Sequence, residues 1–139
     1  MSTEHNKQII ERCFRAYNEG TLDAIDDVAA PNFAYHDPGQ PDIHSWPEQK
    51  AQLSSLRKAL PDLRFVIEEM VAEEDRVAVR WTMHGTHQNV LYGVPATGRP
   101  IELKGQSLYH LCKGQVAAAY VVSDILGLRR QVTSNAQPV

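Results

Sequence analysis

Apolar residues along the first third of the chain recur three and four positions apart. Ile9, Ile10, Cys13, Ala16 and Tyr17 predict a helix over roughly residues 3–19, which Gly20 can end. Thr21 can cap a short second helix that buries Leu22, Ile25 and Val28. Phe33-Ala34-Tyr35-His36 then reads as a short extended stretch, stopped by Asp37-Pro38-Gly39. Residues 37–47 carry three prolines and a glycine and predict a loop. Its end, Ser45-Trp46-Pro47-Glu48, sets a capping serine three residues before a glutamate, with proline in the first turn. The helix that follows places Leu53, Leu56 and Leu60 on one side and stops at Pro61. From Leu63 the period changes to two, and strands are predicted over 63–72, 76–87, 99–112 and 115–123. Glu73-Glu74-Asp75 and Lys113-Gly114 are tight turns and the Gln88–Gly98 segment a longer loop, so consecutive strands should pair as antiparallel hairpins. Ile125 to Gln131 predicts a last helical turn.

Helices first and strands after are the order of an α+β domain, here a strongly curved antiparallel sheet wrapped around N-terminal helices as a cone. The open end of such a cone admits a ligand. Neither a repeat nor a linker interrupts the chain, so residues 1–133 are expected to form one domain and 134–139 a disordered tail.

Composition narrows the function classes. The 139 residues carry a formal charge of −3, the opposite of the basic footprint of a nucleic-acid binder. No run approaches the roughly 18 apolar residues of a membrane span. The start, MSTEHNKQIIER, does not read as a secretory signal. Cys13 and Cys112 have no partners at metal-binding spacing, and a cytoplasmic protein without a disulfide is the expectation. His84 and His87 lie three apart, which on a strand sends them to opposite faces, so no metal site is expected. Nucleophile elbow, phosphate loop and dinucleotide fingerprint are absent.

Candidate chemistry concentrates near strand ends. Asp124 ends a strand, Val116 to Ser123, that contains no other charge, and alternation puts it on the face of Ala118, Tyr120 and Val122. If that face is the inner one, the carboxylate is desolvated and suited to general-base work; the alternative is an N-cap for the 125–131 turn. His87 continues the apolar face of Val77, Val79, Trp81 and Met83, while Arg80, Thr82 and His84 point outward. It can hydrogen-bond a ligand carbonyl, or simply satisfy loop backbone groups. His36 stands beside the Asp37-Pro38-Gly39 turn and can stabilise it. Trp81, Tyr120, Tyr17 and Trp46 can line a cavity for a flat substrate or pack the core.

The ordered set Tyr35-His36-Asp37-Pro38, Leu60-Pro61-Asp62-Leu63-Arg64-Phe65, Asp75-Arg76-Val77-Ala78-Val79-Arg80-Trp81, Gly85-Thr86-His87, Gly93-Val94-Pro95-Ala96-Thr97-Gly98, Lys113-Gly114-Gln115-Val116 and Asp124-Ile125-Leu126-Gly127-Leu128 resembles the SnoaL-like polyketide cyclases, also called ester cyclases, of the NTF2-like fold. The resemblance runs over nearly the whole chain. It implies an α+β cone, commonly a homodimer, with an enclosed pocket and no cofactor. It further implies an acid/base role in an aldol ring closure for Asp124, with histidines at the places of His36 and His87. Where the family commonly carries a glutamate and tryptophans, this chain has Ala118, Tyr120 and Ser123.

The expected activity is therefore a cofactor-independent cyclase or isomerase that removes a proton next to a carbonyl of a hydrophobic, oxygenated molecule, polyketide- or terpenoid-like. Asp124 would take the proton, and His87 with His36 would hold the enolate oxygen. The alternatives are a non-catalytic small-molecule binding protein on the same fold, or an epoxide-opening hydrolase or cyclase. The latter wants a second carboxylate or an arginine beside Asp124, for which Glu102 and Arg80 are the candidates if the strand phases shift. Nucleic acid and membranes are not expected partners.

Overall fold

A computed structural model describes residues 2–133; the tail expected over 134–139 lies outside them. The first helix, α1 (Thr3–Glu19), starts where Ser2 accepts a hydrogen bond from the His5 amide and ends where Gly20 turns left-handed at φ 74°. Its stripe of Ile9, Ile10, Cys13, Phe14 and Ala16 is buried. A 3₁₀ segment, Leu22–Val28, leads into strand β1 (Ala29–His36). The loop after β1 closes on helix α2 (Trp46–Ala59), whose cap is Ser45, accepting from the Glu48 amide at 3.2 Å. Strands β2 (Arg64–Glu73), β3 (Arg76–Thr86), β4 (Pro100–Cys112) and β5 (Gln115–Ser123) follow, and helix α3 (Ile125–Thr133) ends the described chain.

The five strands form one sheet in the order β1-β5-β4-β3-β2. The pairs β2–β3, β3–β4 and β4–β5 are antiparallel, the first and last across tight turns and the middle one across the 87–99 loop. Lys113 (φ 51°) and Gly114 (φ 79°) are both in the left-handed region that a two-residue hairpin turn demands. The sheet is mixed rather than wholly antiparallel. β1 lies along the edge of β5 and parallel to it, because the chain enters the sheet from the 3₁₀ segment and not from a hairpin. The pairing of β2 with β3 shifts register at Glu68 and that of β5 with β4 at Ala117, and such bulges deepen the curl of a sheet.

The concave face takes the core. Val77, Val79, Trp81 and Met83 of β3 meet Leu103, Tyr109 and Leu111 of β4 beneath α1. Trp81 pairs with Gly105 across the β3–β4 ladder, and a Cβ at Gly105 would sit 2.4 Å from the indole ring. Only glycine lets the ring lie flat over β4 and reach Ser107. Helices against the concave side of a curved sheet make this an α+β cone. Among the described residues, no helix is long and apolar enough to cross a membrane.

Candidate functional site

Between the concave face, α1, α2 and the loops after β1 and β3 lies a cavity of about 480 Å³, a size suited to a small organic ligand. Its walls are aromatic and mutually braced. The Phe65 ring stands at 83° to Phe14 (5.8 Å) and at 76° to Trp81 (5.3 Å), while Phe33 meets Trp46 at 6.1 Å. Edge-to-face contacts of this kind fix ring positions as well as bury area. Trp81 is held by its Nε1–H, which donates to Ser107 Oγ at 2.8 Å.

The titratable groups deep inside are protonated. Burial pushes the phenols of Tyr17, Tyr35 and Tyr109 well above the ordinary tyrosine range, Tyr92 to about 12, and the Cys13 thiol likewise to about 12. All stay neutral at physiological pH and can donate hydrogen bonds. Negative charge is confined to the rim, where half-buried Asp37 and exposed Asp42 and Glu48 line the opening. Asp37 also adds to the upward shift of Tyr35 and Tyr92 through its charge, which places its carboxylate within electrostatic reach of both phenols. One Asp37 oxygen, Oδ1, accepts from the Gly39 amide at 2.9 Å; among the described residues nothing hydrogen-bonds to Oδ2. Among those residues, too, no lysine, arginine or histidine lines the cavity.

The candidate residues divide between the two faces of the sheet. Trp81, Tyr17 and Trp46 line the cavity. Asp124 does not. Its alternation with Ala118, Tyr120 and Val122 holds, but that face is the outer one, where Val122 is 63% and Tyr120 45% exposed. The exposed Asp124 carboxylate accepts from the Gly127 amide at 2.8 Å, and its carbonyl accepts from the Leu128 amide at 3.0 Å. Asp124 thus caps α3.

Tyr120, expected against substrate, is likewise outside, flanked by His36 and His110 with ring centroids 4.9 Å from each. His36 stacks there because β1 runs parallel beside β5 and pairs His36 with Tyr120. Its Nδ1 lies 3.2 Å from Asp42 Oδ2. Glu102 and Arg80 are also on the outer face, beside His84 and Glu69 respectively.

His87 is on the inner face and fully buried, yet it turns into the loop instead of the cavity. Nε2 lies 3.1 Å from the Val94 carbonyl and Nδ1 2.9 Å from Thr97 Oγ1. A carbonyl only accepts, so Nε2 carries the proton and Nδ1 takes the threonine hydroxyl. The His87 amide donates to the Arg99 carbonyl and its own carbonyl accepts from Gly98, which closes the 88–98 loop as a unit.

Two lining residues escape the strand-end argument. Asp37 looks like a turn former and is one. Gln49 lies in the stripe of Trp46, Leu53 and Leu56, spaced three and four residues apart on α2; that spacing was the signal for it.

The architecture recurs in solved structures. A protein provisionally assigned as a polyketide cyclase from Acidithiobacillus ferrooxidans superposes with a TM-score of 0.83 at 29% identity, over 98% of this chain and 100% of its own. TsrD from Streptomyces laurentii gives 0.86 at 25% identity, over 96% and 98%. AclR from Streptomyces galilaeus, provisionally assigned as a hydroxylase, gives 0.86 at 25% identity, over 99% and 87%. No curated protein matches significantly. Residues 7–132 match the family model of the SnoaL-like polyketide cyclases, and the chain belongs to that family.

Proposed function

We propose that this chain is a cyclase or isomerase that acts on a neutral, hydrophobic, oxygenated molecule held in the concave cavity, and that Asp37 is its proton acceptor. One observation carries the reading: the titratable groups of the cavity walls are neutral hydrogen-bond donors, and a half-buried carboxylate stands at the rim within electrostatic reach of two of them. The phenols of Tyr35 and Tyr92 bind a substrate carbonyl oxygen. Asp37 removes a proton from the neighbouring carbon, and the electron pair of that C–H bond becomes an enolate whose oxygen the phenols stabilise. In ring closure the enolate carbon attacks a second carbonyl, a C–C bond forms, and the new alkoxide takes the proton back from Asp37. Isomerisation differs only in that the proton returns to another carbon. The family membership supports ring-forming chemistry, while AclR, with its different assignment, shows why the fold alone does not choose the reaction.

The neutrality of the ligand is testable without the natural substrate. A buried carboxylate facing an acidic rim and no cation is strongly disfavoured. At pH 7, 2-acetylnaphthalene should bind at least about tenfold more tightly than 2-naphthoate of the same size, a difference of about 1.4 kcal/mol. Equal or tighter binding of the naphthoate, by calorimetry or by quenching of tryptophan fluorescence, contradicts the reading.

A binding protein without turnover is the second reading. It is favoured by the engagement of Asp124 and His87 in purely local hydrogen bonds.

A homodimer through the outer face of the sheet belongs to the same proposal. Val71 and Val122 are 61% and 63% exposed there and Leu108 38%, an apolar patch that a second copy would remove from water. Light scattering at micromolar concentration should give twice the chain mass, and Val122→Lys should restore the monomer; a monomeric wild type contradicts it.

A further inference from the structure

The first turn of α2 holds a polar residue in an apolar setting. Trp46, Gln49, Leu53 and Leu56 form one stripe of the helix, and all four line the cavity. Gln49 is only 6% exposed, and its carbonyl oxygen, Oε1, has no hydrogen-bond partner. A buried acceptor left unpaired costs stability that leucine at the same place would not. The fold gives it no compensating role: the α2 side-chain cap is made by Ser45, and the Gln49 backbone amide makes the first bond of the helix, to the Ser45 carbonyl, without help from its side chain.

We infer that Gln49 is a specificity-determining residue, whose carbonyl oxygen accepts a hydrogen bond from a hydroxyl group of the ligand. The inference rests on the proposed cavity-binding function and sharpens its substrate class. The tyrosine phenols are donors and call for a carbonyl or other acceptor on the ligand. Gln49 Oε1 is an acceptor and calls for a donor. A ligand that meets both is a neutral, hydroxylated carbonyl compound. A hydroxyl hydrogen is also the sort of difference a buried polar site discriminates well, because a ligand that lacks it leaves the site's acceptor unpaired.

The test uses naphthalene, 2-methoxynaphthalene and 2-naphthol. All three share one ring system, the last two share an acceptor oxygen, and only the naphthol donates. Wild type should bind 2-naphthol about tenfold more tightly than either of the others. In Gln49→Leu that preference should fall to about one, while naphthalene binds at least as well as before. The free Gln49→Leu protein should also melt about 3–6 °C higher, since an unpaired buried carbonyl has been removed. Gln49→Met serves if the leucine variant does not fold. Equal binding of the three probes by wild type, or a naphthol preference that survives in both variants, overturns the role of Gln49 and leaves the cavity reading standing. Failure of all three probes to bind any of the proteins overturns the cavity reading, and the inference with it.

Discussion

Replacing His87 with alanine should lower the melting temperature by about 10–15 °C and loosen one wall of the cavity. The ring is fully buried, and its removal leaves a hole together with two unpaired partners, the Val94 carbonyl and the Thr97 hydroxyl. Loss of a buried ring with its hydrogen bonds costs about 3–5 kcal/mol, a large part of the 5–15 kcal/mol typical of a whole domain. At this chain length that converts to the stated shift. Val90, Leu91 and Tyr92 of the same loop line the cavity, so the effect reaches ligand binding indirectly. Hydrogen exchange locates it: the Gly98 amide, bonded to the His87 carbonyl, and the Leu91 amide, bonded to that of Val94, should lose protection first. His87→Phe keeps the volume but not the bonds and should fall between. An alanine variant that melts like wild type yet loses turnover would return His87 to a catalytic role.

How legible the structure was in the sequence depended on where charges interrupted the strands. In β3, Arg76, Arg80 and His84 alternate with Val77, Val79, Trp81 and Met83, so the inner face could be read directly, and the structure agrees. In β5 both faces are apolar, Ala119 and Val121 on one and Tyr120 and Val122 on the other. Alternation correctly grouped Asp124 with Tyr120 and Val122, but nothing in the strand said which group faces inward. The outer group is apolar for a reason outside a single chain's core, and the proposed dimer supplies one. The parallel placement of β1 was invisible for a different reason: strand order depends on contacts distant in sequence, and β1 carries no turn that binds it to a neighbour. His87 shows a third case. Its face was legible, but the direction of the ring was set by Val94 and Thr97, whose approach follows from the loop's path.

The same ambiguity explains why the proposed base lies at the cavity rim and not at the sheet's end. Asp124 has the charge a proton acceptor needs but lies on the outer face. Asp37 combines charge, partial burial and access to the cavity. Both are matched for a clean comparison, because asparagine replaces aspartate well in each local role. Asn caps helices about as well as Asp, and it forms the same turn through its side-chain oxygen. Neither change should disturb the fold, and each removes only the basic oxygen.

The decisive measurement is therefore deuterium exchange next to the carbonyl of neutral aromatic β-keto esters in heavy water, followed by NMR in wild type, Asp37→Asn and Asp124→Asn. The proposed mechanism predicts that Asp37→Asn slows enzymatic exchange by about 10²–10⁴-fold, the usual worth of a positioned base, with ligand affinity nearly unchanged. Asp124→Asn should stay within about threefold of wild type. No enzymatic exchange by wild type across the panel favours the binding-protein reading. Loss of exchange in Asp124→Asn with full exchange in Asp37→Asn would contradict the account outright.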